Sequence, residues 1–203
     1  MLRHERELVA SGYVTLAGID EAGRGPLAGP VVAAAVVLPW RHPIPGVRDS
    51  KTVPPRERER LYYEIVGRAS AIGLGVVDVG DIDRINIFRA TLKAMEQAVH
   101  CLNAQPDALL VDALVLPGLP LPQRAIVHGD ATSYLIAAAS IVAKVARDSL
   151  MMDYHTRYPK YEFAWHKGYG TARHLDRLAR LGPCPVHRRS FRPVLSRAFG
   201  DGE

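Results

Sequence analysis

Eight consecutive residues, Val31 to Leu38, are valine, alanine or leucine, with no polar side chain among them. A run of this length and β-branched content suits a strand buried on both faces. It is far too short to span a bilayer. Upstream, Val14 to Asp20 also reads as a strand, and the connection between the two, Ala22 to Pro30, is rich in Gly and Pro without a helical pattern. A third strand fits Ala71 to Val79. Three strands in which the first two lack an intervening helix predict an antiparallel meander at the start of the fold.

Helical spacing appears after that opening. Residues 55–69 carry Leu61, Ile65 and Ala69 on one stripe, with Pro54 and Pro55 tolerated at the first turn. From near Asn86, the residues Phe88, Leu92, Met95, Val99 and Leu102 recur at steps of four and three and predict a core-facing stripe. Pro106 stops that helix, Ala108 to Val111 reads as a short strand ending on Asp112, and Arg124 to Val127 as a further one. Thr132 to His155 predicts a long helix whose alanines at 137, 138, 139 and 143 allow close packing on a sheet. Its Ser140, Lys144 and Asp148 share a face. Thr171 to Leu181 predicts another helix, stopped by Gly182 and Pro183. The expectation is a mixed five-stranded α/β sheet flanked by helices. At 203 residues and 48% hydrophobic, the chain fits one such domain, residues 1–155, with a small helical basic extension, residues 156–203, packed on it.

The charge is uneven. Residues 154–203 hold ten Lys or Arg against four Asp or Glu, together with eight of the fourteen aromatics. Cations interleaved with aromatics suit a nucleic acid; a solvated basic face on a helix pair accounts for the same composition. The two cysteines, Cys101 and Cys184, are too few for a disulfide scaffold and lack close ligand partners for zinc. Met1 to Glu7 is charged, and no signal-peptide pattern follows it. The expected address is therefore the cytoplasm, with no membrane association.

Asp20 and Glu21 are adjacent at a strand end, just before the Gly-rich turn. Asp112 ends a strand that could lie beside the first, and Asp130 opens the long helix. Singly, Asp130 also suits a helix cap and Asp112 a turn; those roles do not account for four acids at element ends. Convergent oxygens without His or Cys favour hard cations, Mg2+ or Mn2+. Two such ions roughly 4 Å apart clamp the attacking and leaving oxygens of a phosphoryl displacement. The turn Gly23-Arg24-Gly25-Pro26-Leu27-Ala28-Gly29-Pro30 lacks the ending of a P-loop and joins two strands rather than a strand and a helix. Its glycines suit either a tight turn or a close approach of backbone to substrate.

At this point the strings become specific. Ala17-Gly18-Ile19-Asp20-Glu21-Ala22-Gly23-Arg24-Gly25-Pro26-Leu27-Ala28-Gly29-Pro30-Val31-Val32 resembles the opening motif of the type 2 ribonucleases H, in particular bacterial ribonuclease HII. Asp49-Ser50-Lys51, Val111-Asp112, the run from Gly129-Asp130 through Ala138-Ala139-Ser140-Ile141-Val142-Ala143-Lys144-Val145 to Arg147-Asp148, His166-Lys167-Gly168-Tyr169-Gly170-Thr171 and His187-Arg188-Arg189-Ser190-Phe191 also match, in family order. The resemblance implies a ribonuclease H-like sheet followed by a small helical part. It implies that Asp20, Glu21, Asp112 and Asp130 hold two divalent ions, Mn2+ or Mg2+, in the active complex. It further implies that backbone atoms of Gly23, Arg24 and Gly25 contact a ribonucleotide 2′-hydroxyl, and that Tyr169 stacks on the adjoining sugar. Cleavage 5′ of a ribonucleotide would leave a 3′-hydroxyl and a 5′-phosphate, on RNA–DNA hybrids and on duplex DNA with embedded ribonucleotides.

Lys51, Lys144, Lys167 and the Arg188-Arg189 pair are expected to contact phosphates, although Lys144 also suits a pair with Asp148 one turn on. His166 is expected to be structural or phosphate-facing rather than a general base. Pro54 and Pro55 depart from the polar helix start usual in the family, and the loop Ala113 to Pro122 is unusually apolar. Two other classes remain in view: another two-metal nuclease, such as a junction resolvase or strand-transfer enzyme, and a hybrid-binding module without catalysis. The intact set of four acids argues against the module. A monomer is expected, and the short tail after Phe199 shows no clear docking peptide.

Overall fold

The structure, a computed structural model, describes residues 1–198; the tail from Phe199, where no docking peptide was expected, lies outside them. The elements in order are α1 (Arg3–Ala10), β1 (Leu16–Ala22), β2 (Val31–Val37), α2 (Pro55–Arg68), β3 (Ala71–Val77), α3 (Val79–Ile85), α4 (Ile87–His100), β4 (Ala108–Asp112), β5 (Gln123–Ile126), α5 (Gly129–Thr132), α6 (Tyr134–Arg157), α7 (Phe163–His166), α8 (Ala172–Leu181) and α9 (Arg192–Ala198). The strands form one mixed sheet in the order β3-β2-β1-β4-β5. β1, β2 and β3 are the expected antiparallel meander, and β4 and β5 join it in parallel.

Strand alternation divides the core into two layers. Leu16, Ala34, Val36, Ala108 and Leu110 face α6, together with Leu61 and Ile65 of α2. Their neighbours Ala17, Ile19, Ala33, Ala35, Leu109 and Val111 face α4, together with Ile82 of α3. β2 is thus buried along its whole length on both faces. Helix α6 sits so close to β1 that a Cβ on Gly18 would lie 2.1 Å from the carbonyl carbon of Leu135.

Two helix expectations need correction. Of the expected α4 stripe, Met95 and Val99 are buried against the sheet with Leu92 and Leu102 packed beside them, but Ala90, Ala94 and Ala98 share that side and Phe88 is half exposed. Small residues let the helix axis approach the sheet, so large residues move to the flanks. The helix expected from Thr132 is also two helices. Ser133 is extended, its Oγ accepts from the amide of Ile136, and its hydroxyl donates to Glu5 at 2.7 Å. This N-cap starts α6 at Tyr134, so Asp130 belongs to the separate turn α5.

The chain after α6 folds back over the turn between β1 and β2. Leu27 donates to the carbonyl of Gly168, Gly29 donates to that of Val186, and Ala28 forms a bridge with His187. Three buried histidines organise this segment. The amide of Cys184 donates to Nδ1 of His187 (3.0 Å). That leaves the His187 proton on Nε2, to be donated to Nε2 of His174 (3.0 Å). His174 Nδ1 then donates to the carbonyl of Tyr169 (2.9 Å). His166 stacks on His174 with ring centroids 4.2 Å apart. Burial first, then a neighbouring imidazole (His166 beside His174, His174 beside His187), lowers both His174 and His187 from 6.5 to about 4.

Two stability outcomes follow. Gly18→Ala drives a methyl into the backbone of α6 and should lower the unfolding free energy by about 3 kcal/mol in urea titration; an unchanged midpoint would refute the close seating. His174 and His187 stay neutral in the fold where the unfolded chain takes up protons. Stability should therefore be full above pH 6.5 and fall as pH drops from there toward about 4. A His174→Gln, His187→Gln double variant should flatten that part of the thermal-melt pH profile, and an equally steep profile would remove the histidines as its cause.

Candidate active site

Asp20 and Asp112 lie on neighbouring parallel strands, each one residue beyond the paired Ile19 and Val111. Asp20 is on the α6 side of the sheet with Gly18, and Asp112 is on that side with Leu110. Glu21, next along β1, completes a trio: one oxygen from each of Asp20, Glu21 and Asp112 lies within 4.8 Å of the others. Adjacent strand residues point apart in mid-sheet, but the strand end and the following turn bring both carboxylates to the same edge. Asp20 Oδ1 accepts from the amide of Glu21 at 2.7 Å, and Asp112 Oδ1 accepts from that of Gly129 at 2.7 Å.

The trio crowds three acidic groups with only weak cationic compensation. Burial, then the facing carboxylates of Glu21 and Asp112, pushes Asp20 well above the usual carboxylate range. Burial also raises Glu21, against the pull of Arg24, and raises Asp112 against its amide hydrogen bond from Gly129. Arg24 reaches Glu21 Oε1 only at 3.5 Å, and Glu21 Oε2 is buried without any hydrogen-bond partner. A buried carboxylate oxygen left without a donor, beside two more carboxylates, fits a hard divalent cation coordinated by oxygen.

Asp130 stands beside the trio rather than in it. Its Oδ2 takes the ammonium of Lys51 at 2.9 Å. Burial opposes the Lys51 charge, but the contact with Asp130 outweighs it and holds the amine above its ordinary range. The loop carrying Lys51 is fixed from behind: the Ser50 amide donates to Ser140 Oγ of α6, and Arg58 Nε donates to the Ser50 carbonyl. The sequence block Asp49-Ser50-Lys51 therefore delivers one cation to one acid.

The turn after Glu21 rests on two buried guanidinium groups. Arg188 is 0% exposed and donates to the carbonyls of Gly23 (2.6 Å), Arg24 (2.9 Å) and Gly29 (2.9 Å). Arg147, also 0% exposed, donates to Pro30, Ala28 and Lys167. The expectation of a phosphate contact at Arg188 is therefore corrected: its donors face the protein interior, and Arg189 is the exposed member of the pair. Gly23 adopts φ +99°, and a Cβ there would strike Arg147 at 2.1 Å. On the far side of the turn, the Tyr169 ring lies 4.0 Å from where a Gly25 Cβ would stand.

The remaining basic residues divide. Lys144 pairs with Asp148 at 2.7 Å, the alternative its spacing allowed, and its ammonium lies 5.9 Å from the Tyr169 ring centre. Lys167 turns its ammonium to the carbonyl of Ala164. His166 donates to the carbonyl of Tyr161 through Nε2 and accepts from Gly168 at Nδ1, which makes it structural. Sequence reasoning missed Arg147 as a functional residue. The signal was present: Ala143, Arg147 and Met151 step by four along the buried face of α6, and a cation on such a stripe needs acceptors.

The family model for ribonuclease HII matches residues 17–194. The chain is 57% identical over 190 residues to the ribonuclease HII of Geobacter sulfurreducens, covering 94% of this chain and 88% of that one. It is 55% identical over 194 residues to that of Geotalea uraniireducens, covering 96% and 90%. The crystal structure of the ribonuclease H2 of Pyrococcus horikoshii superposes with a TM-score of 0.75 at 26% identity, over 90% of this chain and 96% of that one. A match of this extent in sequence and fold assigns the chain to the ribonuclease HII family, whose members are metal-dependent ribonucleases H.

Proposed function

We propose that this protein hydrolyses the phosphodiester on the 5′ side of a ribonucleotide, in RNA–DNA hybrids and in duplex DNA with embedded ribonucleotides, leaving a 3′-hydroxyl and a 5′-phosphate. The observation that carries the reading is the Asp20, Glu21 and Asp112 trio two residues from a backbone turn that faces Tyr169. A 2′-hydroxyl is the group that separates RNA from DNA at one position, and a Gly-Arg-Gly turn offers main-chain atoms to it at close range. Two divalent ions, Mg2+ or Mn2+, held by the trio and Asp130, would supply the positive charge that the attacking and leaving oxygens require.

The chain's own groups do the rest. Glu21 keeps Oε2 free beyond its long contact with Arg24, and Asp20 is buried without a cationic partner, so both are poised as ligands. Lys51 holds the Asp130 carboxylate in place. Tyr169, partly exposed beside Gly25, offers a ring face to the neighbouring sugar. Exposed Trp165, with Arg173 stacked 5.2 Å from its ring centre, offers a further aromatic surface to the duplex. Exposed Arg189 and Lys51 suit phosphates, which makes binding salt-sensitive and largely independent of sequence.

We further propose a cytoplasmic monomer. Cys101 and Cys184 are free thiols, in keeping with a reducing compartment, and among the described residues no helix is long and apolar enough to cross a membrane. The segment from residue 156 would then extend the same body, its contacts with Leu27, Ala28 and Gly29 tying it to the turn.

A labelled duplex with one ribonucleotide, run beside an all-DNA duplex with Mg2+, Mn2+ or EDTA, tests the function. Cutting should be metal-dependent, 5′ of the ribonucleotide and absent from all-DNA; equal cutting of both duplexes would reduce the protein to a general nuclease. Asp20→Asn should lose at least about a hundredfold in rate. The same variant should melt higher than the parent when both are metal-free at neutral pH. The folded state holds the Asp20 proton more tightly than the unfolded chain does, so the parent loses stability as pH rises above the ordinary carboxylate range. The difference should vanish at acid pH, and a lower melting point at neutral pH would contradict the charge crowding described.

A further inference from the structure

We propose that Arg188 is the positioning residue of the ribonucleotide-reading turn: by pulling the carbonyls of Gly23 and Arg24 inward, it turns the amides of Arg24 and Gly25 outward as a preset pair of donors. The inference rests on the reading that this turn contacts the ribose hydroxyl. A trans peptide is planar, with its C=O and N–H pointing in opposite directions, and the chain contains no cis peptide. Fixing the Gly23 and Arg24 carbonyls on Arg188 therefore fixes the direction of the next two N–H groups.

The hydrogen bonding of the turn bears this out. Its later amides are satisfied by protein, Leu27 on Gly168 and Gly29 on Val186. Among the described residues, the amides of Arg24 and Gly25 meet no protein acceptor. Along the chain they fall between Glu21 of the trio and the Cβ position of Gly25, which lies 4.0 Å from the Tyr169 ring. Arg147 braces the other end of the turn through Ala28 and Pro30, so the inward carbonyls are held from both sides.

A simple staple between the turn and the C-terminal segment does not need a cation here. Burying a guanidinium costs several kcal/mol of desolvation, and among the described residues every hydrogen-bond partner of the Arg188 guanidinium is a main-chain carbonyl. What the planar fork provides is geometry: three donors at fixed angles, each setting one peptide plane. Lysine, a point charge on a flexible stem, cannot hold three planes at once.

The test measures affinity in EDTA by fluorescence anisotropy, for a duplex with one ribonucleotide and for the matching all-DNA duplex. Parent, Arg188→Lys and Arg188→Met are compared, with thermal melts of each. The parent should prefer the ribonucleotide duplex, and in the variants that preference should fall by about tenfold, the worth of one or two lost hydrogen bonds, while all-DNA affinity stays unchanged. With metal restored, the loss should appear in KM at least as strongly as in kcat. Variants that keep the preference, or that weaken both duplexes equally, overturn the proposal. Loss of folding in both variants overturns it too, in favour of a plain staple. A parent with no preference between the duplexes would instead sink the reading of the turn itself, whatever the variants do.

Discussion

Everything at the site is registered against one contact, the seating of α6 on β1. Gly18 has no side chain, so the helix backbone comes down onto the strand at Leu135, and the run Ala137 to Ala139 continues the close approach. Because that distance is short and fixed, so is everything α6 carries. Its N-cap Ser133 closes the turn that bears Asp130, Ser140 anchors the loop that bears Lys51, and Arg147 reaches beneath the turn that follows Glu21. Shifting the helix by even one methyl group would move three parts of the site together, in different directions relative to Asp20 on the strand. Close-packed interiors transmit such a shift rather than absorbing it.

The second constraint is electrostatic and sits on the same short stretch of chain. On one side of the turn, three carboxylates are crowded until burial and mutual repulsion disfavour their ionised forms. On the other side, two guanidinium groups are buried and bonded to carbonyl oxygens. The acids and the arginines do not pair with each other, which would have been the cheapest neutralisation available. Keeping them apart leaves the acids in need of an external cation and leaves the arginines free to orient peptides. Both arrangements are unfavourable for stability alone, and local strain of that kind collects at working sites.

Much of this was legible in the amino-acid order. The doubly buried run Val31 to Leu38, the meander, and the four acids at element ends follow from alternation, turn chemistry and residue type. The differences share a cause. Size and apolarity point Phe88 inward, but α4 meets the sheet largely through alanines, and only the distance between helix and sheet decides which apolar residues face it. Charge points Arg188 outward, because composition cannot count the six carbonyls that gather around it and Arg147. The break at Ser133 depends on Glu5, more than a hundred residues away. In each case the deciding partner is remote in sequence, and periodicity reports only local partners.

The pairing of these features also explains why metal and substrate belong together in such a site. A phosphodiester approaching Asp20, Glu21 and Asp112 meets like charge in a partly buried setting, where screening by water is weak. On the proposed reading, the outward amides of Arg24 and Gly25 would set the positive ends of two peptide dipoles near that negative edge, too weak to offset three carboxylates but suited to selecting a hydroxyl. Binding strength would then be left to the cations and to the basic surface, and selectivity to the turn. A backbone device suits that division, because it carries no net charge to be altered by the metal and no rotamer to be reordered when the substrate arrives. The buried arginines are what make a flexible Gly-Arg-Gly sequence behave as a rigid part.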